Sequence, residues 1–226
     1  MRGGRGGAEN AETGPLLSKC GSALPGATGR SKTPMPDAKS LPSIPPPGRG
    51  TRQLRKGRQS IPGHYYFLTA NLHGRRSLFH DPASALIVKA SVDWMEANGR
   101  WTWVTYVLMP DHIHLVVRLA GKSDLAKCMM TFKGFTGKRL AASMPPDTAV
   151  WQRGYFDHHF RSDEKFYEVL FYVYWNPVRA GLAEPFATDY PHWDCREPYR
   201  SRMIEDFPRL RRMHESGRLW KPDGDE

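Results

Sequence analysis

The pattern of hydrophobic and polar positions divides the chain near residue 63. Before that point Gly, Pro, Ser and Ala dominate, and no hydrophobic period is visible. Such a segment buries too little apolar surface to offset the entropy lost on ordering, so residues 1–62 are predicted to form a disordered basic tail. Residues 63–191 are predicted to form the folded domain. The polar, Arg-rich residues 192–226 are predicted to form a short helical appendage.

Four segments of the folded domain have the short apolar and aromatic runs that are typical of strands. Only Pro110 and Asp111 separate the second segment from the third, so these two are predicted to pair as a hairpin. The four predicted strands cover residues 64–72, 101–109, 112–119 and 151–161.

Three further segments have apolar residues at helical intervals, as Leu86, Ala90 and Trp94 do in the first of them. They are residues 82–97, a segment from Ser123 or Asp124 to Leu140, and a segment that begins at Asp163 and is limited by Pro177. The order strand, helix, strand, strand, helix, strand, helix predicts an α+β fold. Its simplest closure is a ferredoxin-like antiparallel sheet with helices on one face.

The composition agrees with a folded cytoplasmic protein. Of the 226 residues, 39% are hydrophobic and 12% aromatic, which is enough for a real core. The three cysteines are widely spaced, which argues against a disulfide framework or a cysteine zinc site. No apolar run approaches the roughly 20 residues that a membrane span requires. No apolar segment typical of a signal peptide follows the first residues.

The net charge of +10 is distributed unevenly. Residues 1–63 hold 11 Lys and Arg against 3 Asp and Glu, a net charge of +8, which leaves +2 for the remainder. The overall basicity is therefore weak support for nucleic-acid binding by the folded domain. The tail either supplies an arm that contacts phosphates or only improves solubility, and Met35 is an alternative start of the protein.

The third predicted strand begins with two histidines, His112 and His114. Residues two apart on a strand point to the same face, so the two imidazoles are predicted to lie side by side while Ile113 faces away. Such a pair can hold one divalent ion if a further protein ligand, water or phosphate oxygen completes the site. Two ordinary half-buried histidines are the alternative interpretation.

The last predicted helix carries Tyr172 and Asn176, which share a face because they are four residues apart. An Asn oxygen is a suitable ligand for a hard cation and would complete the two-histidine site. The phenol of Tyr172 would then stand one turn away, where it could attack a phosphodiester. Tyr174 lies about 200° around the helix from Tyr172 and cannot face the same ion. The alternative is that these aromatic residues only fill the core.

Together these motifs resemble the REP-associated tyrosine transposases, a branch of the HUH single-tyrosine transposases. The sequences YVLMPDHIHLVVRL and YVYWNPVRAGL carry most of the resemblance, and HYYFLTANLHGRR and WQRGYFDHHFRSDEKFY extend it. The corresponding residues are 106–119, 172–182, 64–76 and 151–167. The first 60 residues have no counterpart in the family pattern.

The resemblance implies a function, a substrate and a set of site residues. His112, His114 and Asn176 would bind Mg²⁺ or Mn²⁺, and Tyr172 would be the nucleophile. The reaction would cut single-stranded DNA, leaving a 5′-phosphotyrosine and a free 3′-OH that can be rejoined. The substrates would be repetitive extragenic palindromes, which are short imperfect hairpins, and no membrane would be involved. Relatives in this family often act as monomers, and the oligomeric state of this chain stays open. A hairpin-binding protein without catalysis and a phosphodiesterase that uses water are the alternatives.

Several basic and aromatic side chains are candidates for contacts with the DNA. Cations could bind phosphates and aromatic rings could stack on unpaired bases. A solvated surface for each charge, and the core for each ring, are the alternatives. The candidates are Lys127, Lys133, Lys138, Arg139, Trp151, Arg153 and Arg161.

Overall fold

The computed structural model describes residues 60–121, 123–161 and 165–221. Nearly all of the predicted tail and the predicted helix start at Asp163 lie outside these residues. No helix in the described ranges has the length and apolar character needed to span a membrane. The elements are β1 (Tyr65–Asn71), α1 (Pro82–Ala97), β2 (Trp101–Met109), β3 (His112–Leu119), α2 (Leu125–Leu140), β4 (Phe156–His159), α3 (Phe166–Arg179), β5 (Trp193–Cys195), α4 (Tyr199–Glu205) and α5 (Phe207–Glu215).

The five strands form one antiparallel sheet in the order β4-β1-β3-β2-β5. The first four strands, with α1 and α2 between them, have the order of a ferredoxin-like core, so the predicted fold class is confirmed. β5 lies in the segment predicted as a helical appendage, where it pairs with β2. Its three residues are too few to produce a recognisable alternating pattern.

Helices cover both faces of the sheet. α1 and α2 pack on one face, around Leu68, Tyr106 and Leu115, as the ferredoxin-like core requires. α3 packs on the other face, around Phe67 and Val116, and α4 and α5 pack behind it. The prediction of helices on one face is therefore wrong for α3. Residues 169–174 are buried without a break, and a helix buried on several sides needs the sheet on one side and other helices on the next.

A β-bulge in β2 decides which side chains face which layer. The pairing with β3 shifts between Trp103 and Thr105. Before the bulge Trp103 faces α1 and α2, and after it Tyr106 does, so odd positions give way to even ones. One extra residue in a strand reverses the side-chain alternation. Both faces of β2 are covered by helices, which explains why this nine-residue strand has an apolar residue at almost every position.

The boundaries of α1 and α2 follow their caps. Asp81 accepts hydrogen bonds from the backbone of Ala83 and Ser84 and precedes Pro82, while Asp124 accepts from Lys127. Both predicted helix starts agree with these caps. The buried face of α1 differs from the predicted stripe, since Leu86 and Trp94 are 65% and 44% exposed. Its sheet-facing side chains are Ala85, Val88, Val92 and Met95.

Candidate active site

The two histidines of β3 lie on the α3 face of the sheet, as the strand spacing predicts. Their rings are 4.7 Å apart, and the two Nε2 atoms are separated by 3.1 Å. Ile113 points to the opposite face, into the core below α1 and α2. The nitrogens that a metal ion would need therefore converge on one point.

Each imidazole is held from behind through its other nitrogen. His112 Nδ1 lies 2.5 Å from Asp111 Oδ1, and His114 Nδ1 lies 2.8 Å from Thr69 Oγ1. Thr69 is the residue of β1 directly opposite His114, so the sheet register itself provides this contact. With both Nδ1 atoms occupied, the two Nε2 atoms are the ones available to a ligand.

α3 brings Tyr172 and Asn176 to the same place. The Tyr172 ring lies 5.5 Å from the His114 ring, and the Asn176 side chain hydrogen-bonds His114. Asn176 also donates through Nδ2 to the Tyr172 carbonyl oxygen at 2.7 Å. Tyr172, His114 and Asn176 are 2%, 5% and 8% exposed, so the four predicted residues meet in a largely dry site.

The helix keeps Asn176 in register although a proline follows it. Pro177 was predicted to limit α3, but the helix continues to Arg179. Ala180 donates to the Asn176 carbonyl and Leu182 to the Pro177 carbonyl, so the last turn is closed by residues beyond the proline. The i, i+4 relation between Tyr172 and Asn176 is therefore real in the folded chain.

The surroundings keep His114 neutral. Burial lowers the pKa of His114 well below its usual value, and the nearby charges of His112, Arg179 and Arg75 lower it further. The hydrogen bond with Asn176 opposes this shift only in part. A neutral imidazole is the form that can donate a lone pair to a metal ion.

Tyr172 is enclosed by other aromatic rings. Phe67 and Trp220 each lie 5.8 Å from its ring in edge-on geometry, and the Arg179 guanidinium lies 5.8 Å from the ring centre. The backbone of Trp220 is held by Glu168, one turn before Tyr172 on α3. His158 of β4 reaches the same side, 5.2 Å from the Trp220 ring. His159 points to the other face, as predicted for adjacent strand residues.

Tyr174 is separated from the two histidines of β3. Its hydroxyl donates to the Ala187 carbonyl at 3.1 Å, and its ring packs against Trp193 and Phe207. Burial raises the pKa of Tyr174 to about 12. This hydroxyl is therefore committed to the core, which supports the choice of Tyr172 as nucleophile.

The candidate DNA contacts divide into core and surface residues. The proposed base stacking by Trp151 is wrong, because Trp151 is 7% exposed, packs against Phe132 and donates to Thr136. Lys133 donates to the carbonyls of Gln152 and Gly154, which ties α2 to the loop before β4. The other five candidates are all exposed cations. Lys127, Lys138 and Arg139 lie on α2, on the face away from Tyr172, and Arg153 and Arg161 lie on either side of β4.

A hard divalent ion fits the donor atoms that this site presents. Two imidazole nitrogens and an amide oxygen are suitable ligands for Mg²⁺ or Mn²⁺ when phosphate oxygens and water complete the shell. No group of three or more His, Cys, Asp and Glu side chains that could hold a metal occurs in the described ranges. The candidate set differs from such groups because its third member is an amide.

Three residues around the site did not emerge from the sequence. Thr69 comes next to His114 through the pairing of β1 with β3, and Arg75 comes next to Asp111 through the turn after β1. Asp111 stands directly before His112, and this adjacency was the only available signal for it.

Comparison with known proteins places the chain in a family. Residues 60–173, half of the chain, match the family model described as IS200-like transposase, and this segment contains His112, His114 and Tyr172. A REP-associated tyrosine transposase of Haemophilus influenzae is 26% identical over 102 residues. That match covers 39% of this chain and 56% of the relative, so the chain spans about half the length of the curated relative it matches.

The fold comparison agrees with the sequence match. The structure of a REP-associated tyrosine transposase bound to a REP hairpin has a TM-score of 0.52 and 20% identity, covering 75% of this chain and 92% of the other. At this identity the match supports the fold. The resemblance to this branch of the single-tyrosine transposases is confirmed, and the chain belongs to the family of IS200-like transposases.

Proposed function

We propose that this transposase is a metal-dependent endonuclease and strand transferase that acts on single-stranded hairpin DNA through a covalent 5′-phosphotyrosine. The observation that carries the proposal is the meeting of Tyr172 with the histidine pair. Its ring is 5.5 Å from His114, whose Nε2 is 3.1 Å from that of His112. Asn176 connects the two elements through its hydrogen bond to His114.

The geometry suits one displacement at phosphorus. His112, His114 and Asn176 would hold Mg²⁺ or Mn²⁺, which polarises a phosphate oxygen when bound. The Tyr172 oxygen attacks phosphorus, and the bond from phosphorus to the 3′ oxygen breaks. The phenol proton is lost and a proton is taken up by the departing 3′ oxygen, so charge and atoms balance. Attack by a 3′-OH on the phosphotyrosine reverses the step and joins a strand.

Hairpin DNA is the substrate that the similarities favour. A structurally similar transposase has been solved with a REP hairpin. The exposed cations Lys127, Lys138, Arg139, Arg153 and Arg161 are the proposed phosphate contacts of this chain. Affinity for a hairpin should then fall steeply as salt is added, because bound phosphates release counterions.

The test uses the full chain, Mn²⁺ and a labelled hairpin oligonucleotide with single-stranded flanks. Tyr172→Phe should abolish the protein–DNA adduct on a denaturing gel while hairpin binding remains within about twofold, since a hydroxyl that makes the covalent bond adds little to binding. Tyr174→Phe is the matched control and should form the adduct, because that hydroxyl bonds to Ala187.

The same gel distinguishes the alternatives. An adduct that persists in Tyr172→Phe would exclude this nucleophile. Cleavage without an adduct, unchanged in Tyr172→Phe, would indicate a phosphodiesterase that uses water. Tight hairpin binding with no cleavage in either metal, across hairpins of varied sequence, would indicate a binding protein.

A further inference from the structure

Behind His112 lies a continuous chain of polar contacts. Asp111 Oδ1 lies 2.5 Å from His112 Nδ1, and Asp111 Oδ2 lies 2.8 Å from Arg75 Nε. Arg75 donates through Nη1 to Asn71 Oδ1 at 2.7 Å. Both oxygens of the carboxylate are therefore engaged, one by the imidazole and the other by the guanidinium.

The sheet and the following turn bring these residues together. Asn71 is the residue of β1 opposite His112, and Leu72 donates its backbone N–H to the Asp111 carbonyl at 2.8 Å. The chain then turns through residues 73–75, and Arg75 adopts a φ of 54°. Residues other than glycine seldom adopt a positive φ of this size. The turn therefore holds Arg75 in an unfavourable backbone conformation while its side chain reaches Asp111.

The chemistry of the carboxylate determines the state of the imidazole. An ionised carboxylate only accepts hydrogen bonds, so the Nδ1 of His112 must carry a hydrogen, and in the neutral imidazole Nε2 then carries the lone pair. The hydroxyl of Thr69 behind His114 can donate or accept, and it imposes no such choice. The two histidines are therefore supported differently, because the Nδ1 of His112 contacts a carboxylate and the Nδ1 of His114 contacts a hydroxyl.

Arg75 controls what Asp111 can do. A carboxylate next to a cation site is itself a potential ligand and could turn toward the ion. The contact of Oδ2 with Arg75 holds the carboxylate where its other oxygen, Oδ1, meets His112. Removing the guanidinium would free the carboxylate to leave the imidazole.

We propose that Asp111 and Arg75 are positioning residues for the metal site, with Asp111 committing the neutral His112 to coordination through Nε2 and Arg75 holding Asp111 in that contact. The inference rests on the proposed metal-dependent function. It assigns roles to two residues outside the proposed ligand set. Such outer partners commonly change metal affinity by about 10-fold to 100-fold when they are removed.

The first measurement is Mn²⁺ binding to the full chain by isothermal titration calorimetry, without DNA. Asp111→Asn keeps the shape but removes the charge, and it should weaken Mn²⁺ binding by about 10-fold to 100-fold. Arg75→Gln should weaken it less, and this weakening should disappear in the Asp111→Asn background. Arg76→Gln is the matched control, since the neighbouring arginine is exposed and lies outside the contact chain.

The second measurement reads the imidazole directly in the metal-free protein. Nitrogen-15 NMR of labelled histidine should find the His112 proton on Nδ1 in the wild type and shared between both nitrogens in Asp111→Ala. Arg75 is 52% exposed, so Arg75→Gln remains informative if an Asp111 variant unfolds. Thermal melting without metal identifies any variant that loses its fold.

The outcomes separate this inference from the function on which it rests. Wild-type protein that binds no Mn²⁺ would overturn the metal site and the inference with it. Wild-type binding that Asp111→Asn and Arg75→Gln leave unchanged would overturn the inference alone. An Arg75→Gln effect that persists in the Asp111→Asn background would show that Arg75 does not act through Asp111.

Discussion

The Asn176 side chain serves both the helix and the site. Its Nδ2 donates to the Tyr172 carbonyl, one turn back, and the same side chain hydrogen-bonds His114. The amide group thereby fixes the distance between the helix that carries the phenol and the strand that carries the imidazoles. An amide suits this position because it supplies both a donor and an acceptor.

Asn176→Ala should therefore have two effects of different size. The unfolding free energy should fall by about 1–3 kcal/mol, because two hydrogen bonds are lost and each usually contributes about 0.5–1.5 kcal/mol net. Adduct formation at limiting Mn²⁺ should fall by at least the roughly 10-fold to 100-fold that loss of an outer-shell partner costs, because here a proposed ligand itself is lost. Urea denaturation and a Mn²⁺ titration of the gel assay measure the two effects separately. Equal Mn²⁺ requirements for variant and wild type would contradict the assignment of Asn176 as a ligand.

At the scale of elements, the edge of the sheet between β1 and β4 contains a second histidine pair, on the face away from the site. His64 Nδ1 lies 2.8 Å from His159 Nε2. Burial lowers the pKa of His159 to about 4, and the charges of His64, Arg161 and His158 add to this. Burial and then Arg118 lower the pKa of His64 as well. Both rings are therefore neutral in the folded protein at neutral pH.

This pair should make stability depend on pH. Each folded pKa lies below the unfolded value of 6.5, so the unfolded chain binds protons first as the pH falls. The contribution of the pair is complete above about 6.5 and should be lost as the pH falls toward about 4. Thermal midpoints across this range should decline less steeply in His159→Gln than in wild type. His73→Gln, an exposed histidine, is the control and should leave the slope unchanged.

At the scale of the whole molecule, an ion pair links the segment after β5 to α1, the helix that covers the face of the sheet opposite α3. Arg196, directly after β5, donates two hydrogen bonds to the Glu96 carboxylate of α1 at 2.6 and 2.5 Å. Its guanidinium also lies 4.5 Å from the centre of the Trp103 ring. The pair therefore joins the end of β5 to α1 across the edge of the sheet.

Loss of this contact should destabilise the fold and leave formation of the protein–DNA adduct unchanged. Arg196→Ala should lower the unfolding free energy by about 1–2 kcal/mol, because a bidentate ion pair and a cation–π contact disappear together. Arg196→Lys should recover only part of this, since an ammonium cannot bind in the same two-pronged manner. Urea denaturation measures the loss, and adduct formation below the transition should match wild type. A selective loss of adduct formation in the folded variant would contradict this purely structural role.

Much of the architecture could be derived from local patterns. Strand alternation placed His112 and His114 on one face, and the helical repeat placed Tyr172 and Asn176 on one face. Asp81 and Asp124 marked the helix starts where the structure has them. These features depend on the covalent geometry of the chain over four residues or fewer, so the sequence by itself determined them.

Contacts between distant segments were decided by the tertiary structure. The bulge at residues 103–105 reverses which side chains of β2 face which side of the sheet. α3 is buried along its length and packs on the face opposite α1 and α2. Trp151 is buried because α2 packs over it, and no local pattern shows this, so the sequence left it among the candidates for DNA stacking. Thr69 reaches His114, and Arg75 reaches Asp111 next to His112, only because β1 pairs with β3 in one register. A register shift of one residue changes no local pattern and yet replaces every such partner, which is why only the folded chain could identify them.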